Sequence, residues 1–165
     1  MKFNWKNTVL LIAFLATSFS LWSCQGDDEI DPEAVISALI DGEPWNASSL
    51  SSGIKTGDNI SLTAASGNGR TFIISFKAQT GTQALNASVD TSGVNLIPSI
   101  VYRTLPIGGS SLISNTCASN DGAAITITNI DTTNKTVTGT FKTKVCGLNN
   151  SVEITEGKIN GAKYN

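Results

Sequence analysis

The chain has no histidine, and only 15% of its 165 residues are charged. Histidine is the commonest general base and the commonest metal ligand, so its absence excludes the Ser-His and Cys-His pairs that activate most nucleophiles. We therefore expect no catalytic residues, no metal and no cofactor.

An excess of positive charge is also missing. From Ala34 onward, nine Lys and Arg residues stand against eight Asp and Glu residues, a balance of +1. Such a domain lacks the basic surface that nucleic-acid binding requires, so we expect no nucleic-acid partner. The hydrophobic fraction of 40% and the chain length are sufficient for one globular domain with a real core.

The N-terminus lacks an apolar run long enough to cross a membrane. Thr8 to Trp22 is uncharged over fifteen residues, whereas a spanning helix needs about twenty. Lys2 and Lys6 precede this run, as in the positive region of a signal peptide. We interpret residues 1–23 as a signal peptide; a permanent transmembrane helix and a buried core helix are the alternatives.

The segment Leu21-Trp22-Ser23-Cys24 resembles the lipobox of bacterial lipoproteins, which has a leucine three residues before the cysteine and a small residue just before it. The resemblance implies cleavage before Cys24, a thioether-linked diacylglycerol and an added acyl chain such as palmitate. Two or three chains give stable anchoring, where one gives only marginal binding. Cys24 is thus the predicted lipidation site and membrane attachment point. The alternative is cleavage elsewhere, which leaves a soluble periplasmic protein with a free thiol.

Residues 24–34 form an acidic segment that we interpret as a tether. A short acidic run is usually a solvated linker. This run also resembles the surface-export signal of Bacteroidota lipoproteins, which implies an outer-membrane lipoprotein exposed at the cell surface; the periplasm-facing leaflet is the alternative. The acidic residues are Asp27, Asp28, Glu29, Asp31 and Glu33.

Three cysteines are an odd number for an exported protein. If Cys24 is lipidated, Cys117 and Cys146 remain as a pair, and an oxidising envelope favours a disulfide between them. We expect it to be structural, because no C-x-x-C motif is present. Metal binding is the weaker alternative, since two thiols without histidine make a poor zinc site.

Residues 35–165 show no convincing amphipathic helix. Short alternating or apolar runs recur between Gly, Asn, Asp and Pro turns, as in Ile60 to Ala64 and Phe72 to Phe76. This pattern predicts a single all-β domain, an antiparallel β-sandwich, with a partly closed β-barrel as the alternative. The poorly patterned stretch from Ala78 to Ile97 is interpreted mainly as loop.

The clearest predicted element is a hairpin from Ala124 to Val145. Directly opposed residues of an antiparallel pair point to the same face, so a three-residue loop, Thr132 to Asn134, brings the apolar positions together. Asn134 then takes the left-handed conformation. The expected pairs are Asp131 with Lys135, Ile127 with Gly139 and Ile125 with Phe141.

Two of these stretches resemble a known family. The run IDGEPWNA, Ile40 to Ala47, looks like the I-D-G-x-x-W-x-A opening of small Bacteroidota lipoprotein domains. The run ITNIDTTNKTVTGTF, Ile127 to Phe141, looks like their I-T-x-x-D-x-x-N-K-x-V-x-G-T-F hairpin. The family is uncharacterised, so the resemblance implies no functional residues.

A few residues have both a functional and a structural interpretation. Trp45, Tyr102 and Tyr164 are candidate ligand contacts, although large aromatic residues more often fill a core. Thr132, in the Asp-Thr-Thr triplet, resembles a Bacteroidota O-glycosylation site, although Asp131 at that place is also good turn chemistry.

The sequence leaves three classes of function open. The first is a non-catalytic surface module that binds a glycan, a protein or matrix, and the second is a structural or shielding subunit of an envelope complex. The third is a hydrolase with two carboxylates. Glu153 and Glu156 would lie on opposite faces of a strand, and Asp41 and Glu43 belong to a turn, so we expect no enzyme.

Overall fold

A computed structural model describes residue 31 and residues 33–47, 50–85, 98–105 and 108–165. The signal segment, Cys24 and most of the tether lie outside these residues. Within the described part, no helix is long and apolar enough to span a membrane. Among these residues, one 3-10 turn spans Ser114–Thr116. The strands are β1 Ile36–Ile40, β2 Glu43–Ala47, β3 Leu50–Thr56, β4 Asn59–Ala65, β5 Thr71–Lys77, β6 Gly81–Ala84, β7 Ser99–Arg103, β8 Ser111–Ile113, β9 Ala124–Asp131, β10 Thr136–Cys146 and β11 Ser151–Lys163.

All strand pairs in the described part are antiparallel, and they form one long folded sheet. Its order is β2-β1-β11-β10-β8-β7-β5-β4-β3, while β9 pairs with β10 and carries β6 on its other side. The sheet is not closed into a barrel. The predicted all-β antiparallel fold is therefore confirmed.

The core lies between the two halves of this sheet. Trp45 of β2 contacts Phe72 of β5 edge-on, with ring centroids 4.6 Å apart. Phe72 also meets Tyr102 of β7 at 5.2 Å and Phe141 of β10 at 5.9 Å. Because β2 and β5 are far apart in the strand order, their contact shows that the halves face each other as in a sandwich. Such aromatic pairs add about 0.5–1.5 kcal/mol each beyond their burial.

The β9–β10 hairpin keeps the predicted core pairs but has a different turn. Ile127 pairs with Gly139 and Ile125 pairs with Phe141, as expected. The loop has four residues, 132–135, because Asp131 pairs with Thr136. The predicted Asp131–Lys135 pair and the left-handed Asn134 are therefore wrong: Lys135 has the positive φ, 52°.

A bulge and an acidic side chain explain this difference. The Asp131 carboxylate accepts hydrogen bonds from the backbone N–H groups of Thr133 and Asn134, both at 2.8 Å, and from the Asn134 side chain. These bonds hold Asn134 in a conformation with negative φ, so the next residue, Lys135, adopts the left-handed conformation. An extra residue on β9, Thr128, then restores the register of the core pairs.

The stretch from Ala78 to Ile97 contains a strand that the apolar pattern did not predict. Residues Gly81–Ala84 form β6, which pairs with β9. Gln83 is buried, and its side-chain amide exchanges two 2.9 Å hydrogen bonds with the backbone of Lys77. The loop interpretation is wrong for these four residues, because pairing with β9 and the Gln83 amide hold the strand without a hydrophobic pattern. Residues 86–97 lie outside the described part.

Candidate binding groove

The candidate site lies where β10 changes its neighbour. β10 pairs with β9 as far as Lys142, opposite Ala124, and with β8 at Cys146, opposite Ile113. In the gap, the backbone of Lys144 pairs with a side chain: its N–H donates to Oδ1 of Asn120, and Nδ2 of Asn120 donates to its carbonyl, both at 2.9 Å. The Asn120 side chain thus makes the two hydrogen bonds that a neighbouring strand would otherwise make with the Lys144 backbone.

The loop that carries Asn120, residues 117–123, forms one wall of the site and is fastened at several points. A disulfide joins Cys117 to Cys146, which confirms the predicted pair. Nδ2 of Asn120 also lies 3.1 Å from the carbonyl of Ser114 and 3.0 Å from Oγ1 of Thr143. The wall is therefore held in one position before any ligand arrives.

The opposite wall is the Asp41-Gly42 turn between β1 and β2. Both residues have positive φ, 52° and 87°, as the type I′ hairpin turn requires. The backbone N–H of Asp41 donates to the carbonyl of Glu153, and Oδ1 of Asp41 accepts from the N–H of Glu153, each at 2.8 Å. These two bonds fix the turn to the start of β11.

Between the walls lies a polar groove of about 510 Å³, which we call the far groove. Its walls contribute Asp41 and Asp121, and its floor contributes Lys142, Lys144 and Glu153. All five side chains are exposed, and Lys144 lies directly opposite Glu153 on the neighbouring strand. The volume lies in the usual range of small-molecule sites, although such sites are usually more apolar.

The far groove and the tether lie at opposite ends of the sandwich. The chain enters β1 through the buried Ala34, and Ile36 pairs with Ile159 of β11. β1 then runs for five residues to the Asp41 turn, which at about 3.3 Å per residue is roughly 17 Å. We call these the tether end and the far end.

The three aromatic candidates for ligand contact are core residues. Trp45, Tyr102 and Tyr164 are exposed by only 1%, 2% and 5%. None of them presents a ring face to solvent, so the described part of the fold offers no support for stacking of a ligand on them. Their positions agree with the core interpretation of large aromatic residues.

The predicted modification residues are placed differently. Thr132 is exposed in the β9–β10 turn, where either a glycan or plain turn chemistry is compatible with its position. Cys24 lies outside the described residues. The backbone N–H of Asn134, its side-chain amide and the N–H of Thr133 hold the pKa of the Asp131 carboxyl below its usual value.

Among the described residues, no group of three or more His, Cys, Asp and Glu side chains is placed to hold a metal ion. Three carboxylates do surround the far groove, and sequence reasoning had not joined them: Asp41, Asp121 and Glu153 come from three separate segments. It also missed Asn120. The available signal was the run Cys117 to Gly122, where polar turn residues directly follow a cysteine.

The chain belongs to the family described as "Domain of unknown function (DUF6252)", whose model matches residues 32–162. The match covers all the strands except the last residue of β11, and it includes both walls of the far groove. No curated protein and no solved structure matches the chain.

Proposed function

We propose that the protein is a lipid-anchored envelope protein that acts as a non-catalytic binding module. The anchor is Cys24, in an outer-membrane lipoprotein displayed at the cell surface. Two sequence features support this: the lipobox-like Leu21 to Cys24 and the acidic run after it. The Cys117–Cys146 disulfide is consistent with the proposal, because it leaves Cys24 free for acylation.

The observation that carries the binding role is the preformed far groove. A ligand that enters a fixed site loses less free energy in ordering protein groups than one that must organise a loop. Here a disulfide and the Asn120 side chain fix one wall, and two hydrogen bonds between Asp41 and Glu153 fix the other. The groove also lies at the end away from the tether, where a membrane-anchored module is accessible to partners.

A hydrolase remains the third possibility, because carboxylates meet in this groove. Asp41, Asp121 and Glu153 are all exposed, whereas the general acid of a two-carboxylate hydrolase usually lies in apolar surroundings. Oδ1 of Asp41 already accepts a backbone hydrogen bond. We therefore assign these groups to ligand contact and not to catalysis.

A structural or shielding subunit is the second candidate, and one observation favours it. Leu148, at the β10–β11 turn, is fully exposed, and Leu105, in the β7–β8 connection, is 53% exposed. Such side chains at the far end suit burial by a protein partner. Co-purification of one defined partner that is lost in a Leu148→Ser variant favours this role over ligand binding.

The anchor is tested by mass spectrometry of the N-terminal peptide together with protease shaving of intact cells. We expect an acylated Cys24, membrane release in Cys24→Ala, and loss of the domain on shaving. An unmodified Cys24 in membrane-free protein contradicts the anchor. An acylated protein that resists shaving on intact cells, yet is digested after lysis, contradicts surface display alone.

The binding role is tested with the purified protein on a glycan array and in pull-downs from envelope extracts. We expect a ligand whose binding is lost in Asp121→Asn and Lys144→Gln. The exposed Asn149→Ala, in the β10–β11 turn outside the groove lining, is the matched control and retains binding. Absence of any ligand in both screens, with intact folding, contradicts the proposal.

A further inference from the structure

Two more grooves continue the far groove along the outer surface of β10 and β11. The second, of about 360 Å³, shares Lys142 with the far groove. The third, of about 310 Å³, shares Thr140 and Lys158 with the second and reaches Ala34, where the tether enters. The three grooves thus follow one another through shared lining residues, and we call them together the outer track.

The outer track is long enough for a chain-like ligand. Along β10 it runs from Thr138 to Lys144, a distance of roughly 20 Å at about 3.4 Å per residue. β11 carries a bulge beside it, where Glu156 has a φ of 51° and stays exposed. Bulges turn side chains away from the regular pleat, and here the turned side chain lines the second groove. Glu153 and Glu156 therefore both face this surface, and the expectation that they lie on opposite faces of a regular strand is wrong.

The lining combines hydroxyl groups and charges of both signs with apolar surface, which predominates in the second and third grooves. Three ammonium groups face four carboxylates, and no ion pair joins them in the part of the chain that the structure describes: Lys142, Lys144 and Lys158 against Asp41, Asp121, Glu153 and Glu156. A ligand of one charge would meet like and unlike groups in nearly equal number. A neutral ligand rich in hydroxyl groups can accept from the ammonium groups and donate to the carboxylates. Among the hydroxyl groups of the lining, that of Thr140 is exposed and has no partner in the described part of the chain. The hydroxyls of Thr126, Thr128 and Thr138 each already hold one hydrogen bond within the protein, and Ser37 is buried.

The track is a sheet face and not a sheet edge, which disfavours an extended peptide. The backbone groups of β10 are paired with β9 on one side and with β11 on the other. A peptide therefore cannot add here as a further strand, the mode in which main-chain bonds supply the affinity. Side-chain hydrogen bonds alone remain available, and these suit sugar hydroxyls.

From this length, charge balance and hydroxyl lining, we propose that the outer track binds a neutral, unbranched polysaccharide chain. The inference rests on the proposed binding function and names its ligand class. Binding extends from the far groove across Thr140 to Lys158, so the middle of the track contributes as well as its far end.

The test measures binding of the purified full-length protein to neutral linear gluco- and manno-oligosaccharides of increasing length by calorimetry. Affinity should rise with length until the track is filled, and should not fall on going from low to high salt, because the ligand is uncharged. Lys158→Gln and Thr140→Val should each weaken binding, Lys158→Gln by about tenfold, the equivalent of one hydrogen bond to a charged group.

Thr63→Val is the matched control, because Thr63 is a half-buried outward threonine on β4, in the other half of the sheet. If Lys158→Gln and Thr140→Val leave binding unchanged, or if affinity does not depend on ligand length, the ligand does not occupy the outer track. The far groove then stands as the binding site. A protein or charged glycan that binds where all neutral chains fail overturns the ligand class but not the binding function. If none of the tested ligands binds, the proposed binding function itself is contradicted.

Discussion

Asn120 gives the sharpest prediction about how the site is held. Its side chain is 9% exposed and contacts one donor and three acceptors. A carboxamide has only two N–H hydrogens, so two donated bonds and one accepted bond can be fully formed. At about 1 kcal/mol for each net hydrogen bond, Asn120→Ala should lower the free energy of unfolding by about 3 kcal/mol.

Asn120→Asp separates hydrogen bonding from the volume of the side chain. The carboxylate has the same shape, but it turns an oxygen toward the carbonyls of Ser114 and Lys144 in place of the N–H group. At neutral pH it should destabilise the protein at least as much as Asn120→Ala. Acidification that protonates the new carboxyl should recover part of the loss, because the acid can donate one bond.

Urea unfolding of each variant, with hydrogen exchange of the Lys144 amide, measures both effects. The amide should exchange faster in Asn120→Ala, which removes its acceptor, whereas the aspartate keeps an oxygen that can accept from it. Asn149→Ala is the control: the side chain is exposed in the β10–β11 turn, so its effect should stay within about 0.5 kcal/mol. A loss below about 1 kcal/mol for Asn120→Ala, or a milder effect of the aspartate, would refute the ladder role.

Three further predictions concern other parts of the fold. Replacing Cys117 and Cys146 by alanine should lower the free energy of unfolding by about 3–4 kcal/mol in the chain-entropy model, given their sequence separation of 29. Urea unfolding of the oxidised and the reduced wild-type protein gives the comparison. Equal unfolding midpoints contradict this prediction. Gly53→Ala should lower the free energy of unfolding by about 2–3 kcal/mol, because its Cβ would overlap the backbone at the end of β11. A Cβ at Gly67 meets nothing within 4 Å, so Gly67→Ala is the control and should be nearly neutral. Similar unfolding midpoints for the two variants would count against this packing. The Asp131 carboxyl has a lowered pKa in the folded state, so its stabilisation is complete above the unfolded pKa and is lost as pH falls through the folded value; an NMR titration midpoint at or above that of an unstructured aspartate contradicts the turn geometry.

Local chemistry predicted well the parts of this fold that depend on neighbouring residues. The Asp41-Gly42 turn was predictable because type I′ turns need two positive φ values, which Asp-Gly supplies readily. The alternation from Ile60 to Ala64 marked the buried face of β4 correctly. The Cys117–Cys146 disulfide followed from counting cysteines once Cys24 was set aside.

The turn at residues 132–135 shows where local preference fails. Asn tolerates the left-handed conformation better than Lys, yet Lys135 adopts it. The cause is the Asp131 carboxylate, which already engages the backbone and side chain of Asn134. A single-residue preference cannot predict which of two neighbours is free to change conformation when a third residue binds one of them.

The far groove was beyond sequence reasoning for a related physical reason. Asn120 lies in a run of polar turn residues, and nothing near it in the chain indicates that Lys144 has a strand partner on the β11 side only. That gap exists because β8 ends at Ile113, opposite Cys146, while β9 begins at Ala124, opposite Lys142, which is a property of three strands together. A side chain that completes a sheet ladder from a loop also fixes the position of Asp121 beside it. The same contact that stabilises the strand exchange therefore builds the groove wall, so loss of stability and loss of ligand binding should be coupled in Asn120 variants and separable in Asp121→Asn.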